Sequence, residues 1–171
     1  MVVDSANIEV KAEFSEDRKL RFTLKKTWDI EEPSALFILL NPSKADVLRM
    51  DNTFCNIINQ CIDLKFGSVT LVNLFPIMAT EQKELKGKLD IGKNENYEVI
   101  GRELMTTDTV FIAWGSEHKK YSSRKSEIEH LLKKCDKKTK ILCWFDENKN
   151  YPKHLRIVGK TWELSNYEYV F

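Results

Sequence analysis

The stretch Ala35-Leu36-Phe37-Ile38-Leu39-Leu40-Asn41-Pro42 decides the fold. Its apolar residues follow one another without polar alternation, which describes a strand covered on both faces, as in a parallel sheet flanked by helices. The run stops at Asn41, because the following proline restricts it to extended backbone and removes the next N–H donor. Working outward, the same pattern recurs at Val69 to Leu74, Thr109 to Trp114 and Lys140 to Phe145.

Between these runs the apolar period changes to that of a helix. Phe54, Ile57, Ile58 and Cys61 recur at helical spacing and close at Leu64-Lys65 before Gly67. Tyr97, Ile100, Gly101 and Leu104 predict a second helix. Ile128, Leu131, Leu132 and Cys135 predict a third, with Ser126 and Glu129 at capping-box spacing. Buried strands alternating with helices imply βαβ units, right-handed crossovers and a three-layer αβα arrangement on a mostly parallel sheet. Ahead of this α/β core (33–171), Ile8-Val10-Ala12 and Leu20-Phe22-Leu24 alternate around Ser15-Glu16-Asp17 and predict an N-terminal β-hairpin within residues 1–30. Phe75 to Gly92 reads as a long loop, and Trp162 to Phe171 as a further strand at an edge. No linker or repeat divides the 171 residues, so one domain is expected.

Composition narrows the function classes. No run of eighteen apolar residues is present, and Met1 to Glu16 lacks the basic start and apolar run of a secretory signal. A cytoplasmic monomer without membrane contact is the expectation. Cys55, Cys61, Cys135 and Cys143 show no C-x-x-C spacing and read as reduced apolar fillers, with no metal. Net charge is +1, but residues 117–160 hold 13 Lys/Arg against 6 Asp/Glu, leaving 14 against 20 elsewhere. Such a block could neutralise phosphates, with a weak, salt-dependent affinity for DNA. Alternatively, Lys133, Lys134, Lys137 and Lys138 solvate a helix end and favour its dipole.

Ligands of open α/β sheets bind beyond the carboxyl ends of the strands. Here those ends read Asn41-Pro42-Ser43, Asn73-Leu74-Phe75-Pro76, Trp114-Gly115-Ser116 and Asp146-Glu147-Asn148. Asn, Pro, Gly and Ser also stop strands as turn formers, so any one position has a bland explanation. The set shares one predicted edge, which keeps the functional reading open. An amide fixed at a strand tip can orient a water (Asn41) or read a polar heterocycle (Asn73). Asp51 and Thr53 precede the first helix and have capping chemistry. Ser43-Lys44 is discounted as a nucleophile pair, since adjacent residues rarely face each other. Of the three histidines, His130 lies in a helix and His118 in a charged loop, whereas His154 follows the last core strand and is expected at the same rim. P-loop, G-x-G-x-x-G, G-x-S-x-G and H-E-x-x-H motifs are absent, which argues against nucleotide hydrolysis of the P-loop type and dehydrogenase chemistry.

The segments LLNPSKAD, MDNT, VNLFPIMAT and AWG, then Arg124 and YPKHLR, together resemble a family of bacterial and phage-borne proteins known as domain of unknown function 1643, over about Leu36 to Val158. Met78 stands where that pattern carries arginine, and Leu155 where it carries proline. The family in turn resembles the uracil-DNA glycosylase superfamily, in which a Gly-x-Asn-Pro motif ends the first core strand; Asn41-Pro42 is similar, with Leu39 in place of the glycine. This resemblance implies a uracil-DNA glycosylase-like fold and a cofactor-free hydrolase cleaving the N-glycosidic bond of a damaged, foreign or modified base in DNA, with anti-phage defence as its setting. Asn41 would then hold water, Asn73 read the base and His154 stabilise the leaving group. Pro42, Ser43, Asp51, Phe75, Trp114 and Arg124 fall in substrate-binding positions, with Phe54 or Phe75 available to stack on the base. A non-catalytic nucleotide or modified-base binding module, or action on a free nucleotide, are the alternatives.

Overall fold

A computed structural model of the chain describes all residues except Lys44, Thr80, Glu81, His118, Lys137, Lys149, Asn150 and Lys160, with only the backbone of Gln82 and Lys83. The expectations for Lys44, His118 and Lys137 therefore lie outside the described residues. Among the rest, strands β1 (Glu9–Phe14), β2 (Arg21–Thr27), β3 (Ser34–Leu39), β4 (Ser68–Asn73), β5 (Thr109–Ile112), β6 (Lys140–Phe145) and β7 (Glu163–Asn166) alternate with helices α1 (Asn52–Asp63), α2 (Lys93–Leu104) and α3 (Ser122–Leu132). All seven strands form one sheet in the order β1-β2-β4-β3-β5-β6-β7.

The continuous apolar runs became the centre of that sheet, as expected. β4, β3, β5 and β6 are parallel neighbours, while β1, β2 and β7 pair antiparallel at the flanks. The sheet is thus parallel in its centre rather than throughout. Alternate residues of β3 serve two cores. Leu36 and Ile38 pack toward Ile100, Leu104, Ile128 and Leu132 of α2 and α3, whereas Ala35, Phe37 and Leu39 pack toward Phe54, Ile57 and Cys61 of α1. Three layers result. On the α1 side Phe37, Phe111 and Trp144 stack across three strands, with successive centroids 4.6 and 5.0 Å apart. Rings of this size, fully removed from water, each contribute on the order of 2 kcal/mol or more.

One local expectation holds and one is corrected. The N-terminal hairpin forms, with Ser15 Oγ donating to Asp17 at 2.7 Å and accepting from Leu20 N at 3.0 Å in its turn, and it joins the central sheet through its second strand. Its second strand pairs with β4, register Leu24 to Leu71, and buries Arg21, Thr23, Leu24 and Lys26. The supposed capping box of α3 does not exist. The helix starts five residues earlier, after Tyr121, and Glu129 is a wholly buried mid-helix carboxylate. It accepts from Tyr167 Oη at 2.7 Å and from the backbone N–H groups of Val170 and Phe171, both at 2.9 Å. The four cysteines are free, two buried and two half-buried, and burial pushes the thiols of Cys61 and Cys143 up to about 12. No helix among the described residues is long and apolar enough to cross a membrane, and no group of metal-ligating side chains occurs among them.

Candidate functional site

Because β4, β3, β5 and β6 are parallel and adjacent, their carboxyl ends share one rim. The rim opens into a cavity of about 740 Å³, large enough for a nucleotide-sized ligand. Asn41, Ser43, Asp51, Asn73, Trp114 and His154 all line it. Four chain segments deliver these residues, and each delivery has a local cause.

Beyond β3, Leu74 N and Phe75 N donate to Leu39 and Leu40, holding the first two strand ends together (2.9 and 3.0 Å). Asn41 then turns its amide onto the neighbouring backbone: Nδ2 donates to Ala79 O at 2.7 Å and to Pro42 O at 3.2 Å. These two bonds fix the amide's orientation and leave Oδ1, an acceptor, uncommitted among the described residues. Asn73, the last residue of β4, is 1% exposed, and neither end of its amide has a hydrogen-bond partner. Its carbonyl is braced from behind by Asn96 Nδ2 at 2.9 Å. An orphaned buried amide costs about 1–3 kcal/mol, a debt that a ligand with a matching donor–acceptor edge would cancel.

His154 reaches the rim by a return loop after β6. Lys153 N donates to Trp144 O at 2.9 Å, and Asn56 Nδ2 of α1 donates to Leu155 O at 2.9 Å, so the loop is tied to the sheet and to the helix. Leu155 is fully buried in the α1-side core and anchors the histidine beside it. His154 Nδ1 accepts from Arg156 N at 3.1 Å. The neutral ring therefore carries its proton on Nε2, as a donor. Burial lowers the imidazole pKa from its ordinary value; Asp51 opposes this and Arg156 adds to it, so the neutral form is favoured.

Asp51 caps α1, with Oδ1 accepting from Phe54 N at 2.8 Å, and its other oxygen accepts from Ser43 Oγ. The capping reading of Asp51 is correct, and the cap also stands in the cavity wall. Gly115, at φ +95°, gives the chain after Trp114 a turn closed to most side chains. Not every expected residue reaches the cavity. Phe75 is buried against Tyr121, with ring centroids 4.9 Å apart, and lies outside the lining, as does Pro42. Arg124 works from the opposite layer: Nε donates to Leu74 O at 2.9 Å and Nη1 pairs with Glu127 at 2.8 Å, bracing the β4 end without touching the cavity. Asp146 pairs with Lys153 at 2.9 Å and accepts from Asn148 N, so turn chemistry accounts for that strand end. Phe54 does line the cavity, with the Lys26 ammonium 5.1 Å from its ring centroid.

The basic block is divided by topology. Lys120, Lys125 and Arg156 line the cavity, but Lys133, Lys134 and Lys138 follow α3 toward the start of β6, at the opposite edge of the sheet. Two cavity cations lie outside the block altogether, Arg49 and Arg21. Arg21 was hidden in the sequence because the polar face of a hairpin is expected to meet water. Lys125 was hidden in a charged run; it is 2% exposed and donates from Nζ to Glu117 O at 2.7 Å. Its pKa is lowered, chiefly by burial.

No curated protein and no solved structure matches this sequence. Residues 21–154, from the start of β2 to His154, match the family described as a protein of unknown function, DUF1643. The matched span begins and ends on cavity residues and contains every other one named above except Arg156, and on that match the chain belongs to this family.

Proposed function

We propose that the protein is a glycosylase-like hydrolase that cleaves the N-glycosidic bond of a modified, foreign or damaged base in DNA, on a fold of the uracil-DNA glycosylase type. The observation that carries this reading is the meeting of Asn41, Asn73 and His154 on one cavity, with the amide of Asn73 lacking any partner of its own. In the reaction, the glycosidic electron pair leaves with the base while water oxygen bonds to the sugar carbon and its proton passes to solvent. Asn73 reads the base edge. The Nε2 donor of neutral His154 stabilises the charge gathering on the departing base, and Asn41 Oδ1 accepts from the attacking water. The base must first leave the duplex stack, which costs a few kcal/mol and is cheapest for mismatched or damaged positions.

The test is incubation with duplexes carrying uracil, mismatched pyrimidines or hypermodified pyrimidines, followed by alkaline cleavage at abasic sites. At least one substrate is expected to be cut, and His154→Ala to slow the cut by about 10²–10³-fold, the range of a lost preorganised donor. Absence of abasic sites on the whole panel, with wild type and Asn41→Ala alike, defeats the proposal. The placement of several cations inside the cavity, rather than on an outer face, favours a second reading in which the substrate is a free nucleotide.

A further inference from the structure

The N-terminal hairpin contributes one cavity residue that the reaction above does not use. Arg21, the first residue of β2, is only 2% exposed and lines the cavity. One of its terminal nitrogens donates to Ala45 O, its Nε has no hydrogen-bond partner, and it forms no ion pair among the described residues. Burial lowers its pKa to about 10, against the attraction of Asp51 and Asp46. The group stays protonated near neutrality, so a cation is held largely out of water with its Nε donor unpartnered. Burying a charge without a partner is among the costliest arrangements a fold can keep. Guanidinium groups are the preferred bidentate receptors for phosphate because their planar N–H pair matches two phosphate oxygens.

The neighbours fit an anion. Arg49 and Arg156 also line the cavity, and so does the first turn of α1, where helix geometry favours negative charge. Asp51, the carboxylate that attracts this group most, is occupied by Phe54 N and Ser43 Oγ. The orphaned amide of Asn73 belongs to β4, the strand to which β2 is paired. An unsatisfied base-reading group and an unsatisfied phosphate-reading group thus stand in one hollow.

We propose that Arg21 is the phosphate receptor of this site, so that its ligand is recognised as a nucleotide, base and phosphate together, and not as a base alone. The inference rests on the base-binding reading of the cavity. The phosphate is either the monoester of a free nucleotide or a diester of the DNA strand, and the measurement separates the two. Calorimetric titration would compare dUMP, dTMP and dCMP with deoxyuridine, thymidine and deoxycytidine, and with a short oligonucleotide carrying the base best bound. At least one nucleotide is expected to bind about tenfold or more tightly than its nucleoside, the worth of one charged hydrogen-bonded contact. In Arg21→Gln that advantage should vanish, leaving nucleoside affinity in place, and Arg21→Lys should restore part of it. A mononucleotide advantage assigns the monoester, and an advantage confined to the oligonucleotide assigns the diester.

Should Arg21→Gln fail to fold, the wild-type protein still decides the matter through its arginine Nε–Hε NMR signals. The Arg21 signal, identified by its loss in Arg21→Lys or by sequential assignment, should shift with the tightest-binding nucleotide and stay fixed with its nucleoside. Nucleosides binding as well as both the nucleotides and the oligonucleotide, or a persistent gap in Arg21→Gln, overturns the phosphate role and leaves the base-binding reading standing. No binding by nucleosides, nucleotides or oligonucleotide overturns both.

Discussion

Two buried polar centres in this molecule are opposites. In the layer of α3, Glu129 is wholly buried, and three donors from the chain's last residues close on its carboxylate. At the carboxyl rim, Arg21 and Asn73 are buried almost as deeply, yet Arg21 keeps one donor and Asn73 keeps its whole amide without a partner. The first centre is complete in itself and has the character of a structural clasp. The second is incomplete without something from outside. Burial alone does not separate architecture from recognition; satisfaction of hydrogen bonds does.

The contrast breaks if both centres respond alike to substitution. The largest effect is expected at the clasp. Glu129→Ala strands the Tyr167 hydroxyl and two backbone N–H groups, and should cost about 3 kcal/mol. For a chain of this size that is a fall of roughly 6–12 °C in Tm by calorimetry, with ligand affinity at the cavity unchanged once the variant is folded. A smaller effect of opposite character is expected at Asn73. Replacing its unpartnered amide by an apolar side chain of the same branching, Asn73→Leu, should leave stability within about 1 kcal/mol or raise it, while base binding is lost. A fall in urea midpoint as large as that of Glu129→Ala would mean that the amide is satisfied in solution and that the contrast is false.

The smallest effect concerns pH. Burial holds the folded His154 below its ordinary value near 6.5, so on acidification the unfolded chain takes up this proton first. Stability is therefore undiminished above the ordinary histidine range and declines as pH falls from there toward the folded value. Urea midpoints at pH 7.5 and 5.5 should differ less in His154→Gln than in wild type. An equal difference would place the imidazole in contact with solvent.

Much of the framework was legible in the sequence for a physical reason. Runs such as Ala35 to Leu40 lack polar alternation because both faces are covered, and that coverage requires helices on either side. The rim followed from the same reading, since parallel neighbours must end together, and Asn41, Asn73 and His154 share it. What stayed illegible depends on partners distant in the chain. Alternation in β2 looks the same whether the strand lies at an edge or is sandwiched, and the burial of Arg21 involves a partner distant in the chain, Ala45, whose carbonyl accepts from the guanidinium. Ser126 and Glu129 have the spacing of a cap, but Glu129 answers to Tyr167 and the last two residues, which local spacing cannot register. Arg124 carries a ligand-binding residue type, yet its fork is spent on Leu74 O and Glu127. The spread of the basic block was also illegible, because Lys120, Lys125 and Arg156 line the cavity while Lys133, Lys134 and Lys138 follow α3 toward the start of β6.

The antiparallel docking of β2 on β4 has a mechanical consequence. A strand that runs against its neighbour brings its beginning to the place where the neighbour finishes, so Arg21 and Asn73 arrive at one end of a shared ladder from points far apart in the chain. A molecule gripping both would act as a rivet across that seam. Its occupancy should then be readable far from the hollow, as slower amide exchange along residues 24–27 and 68–71, because pulling the first hairpin away would require releasing the guest.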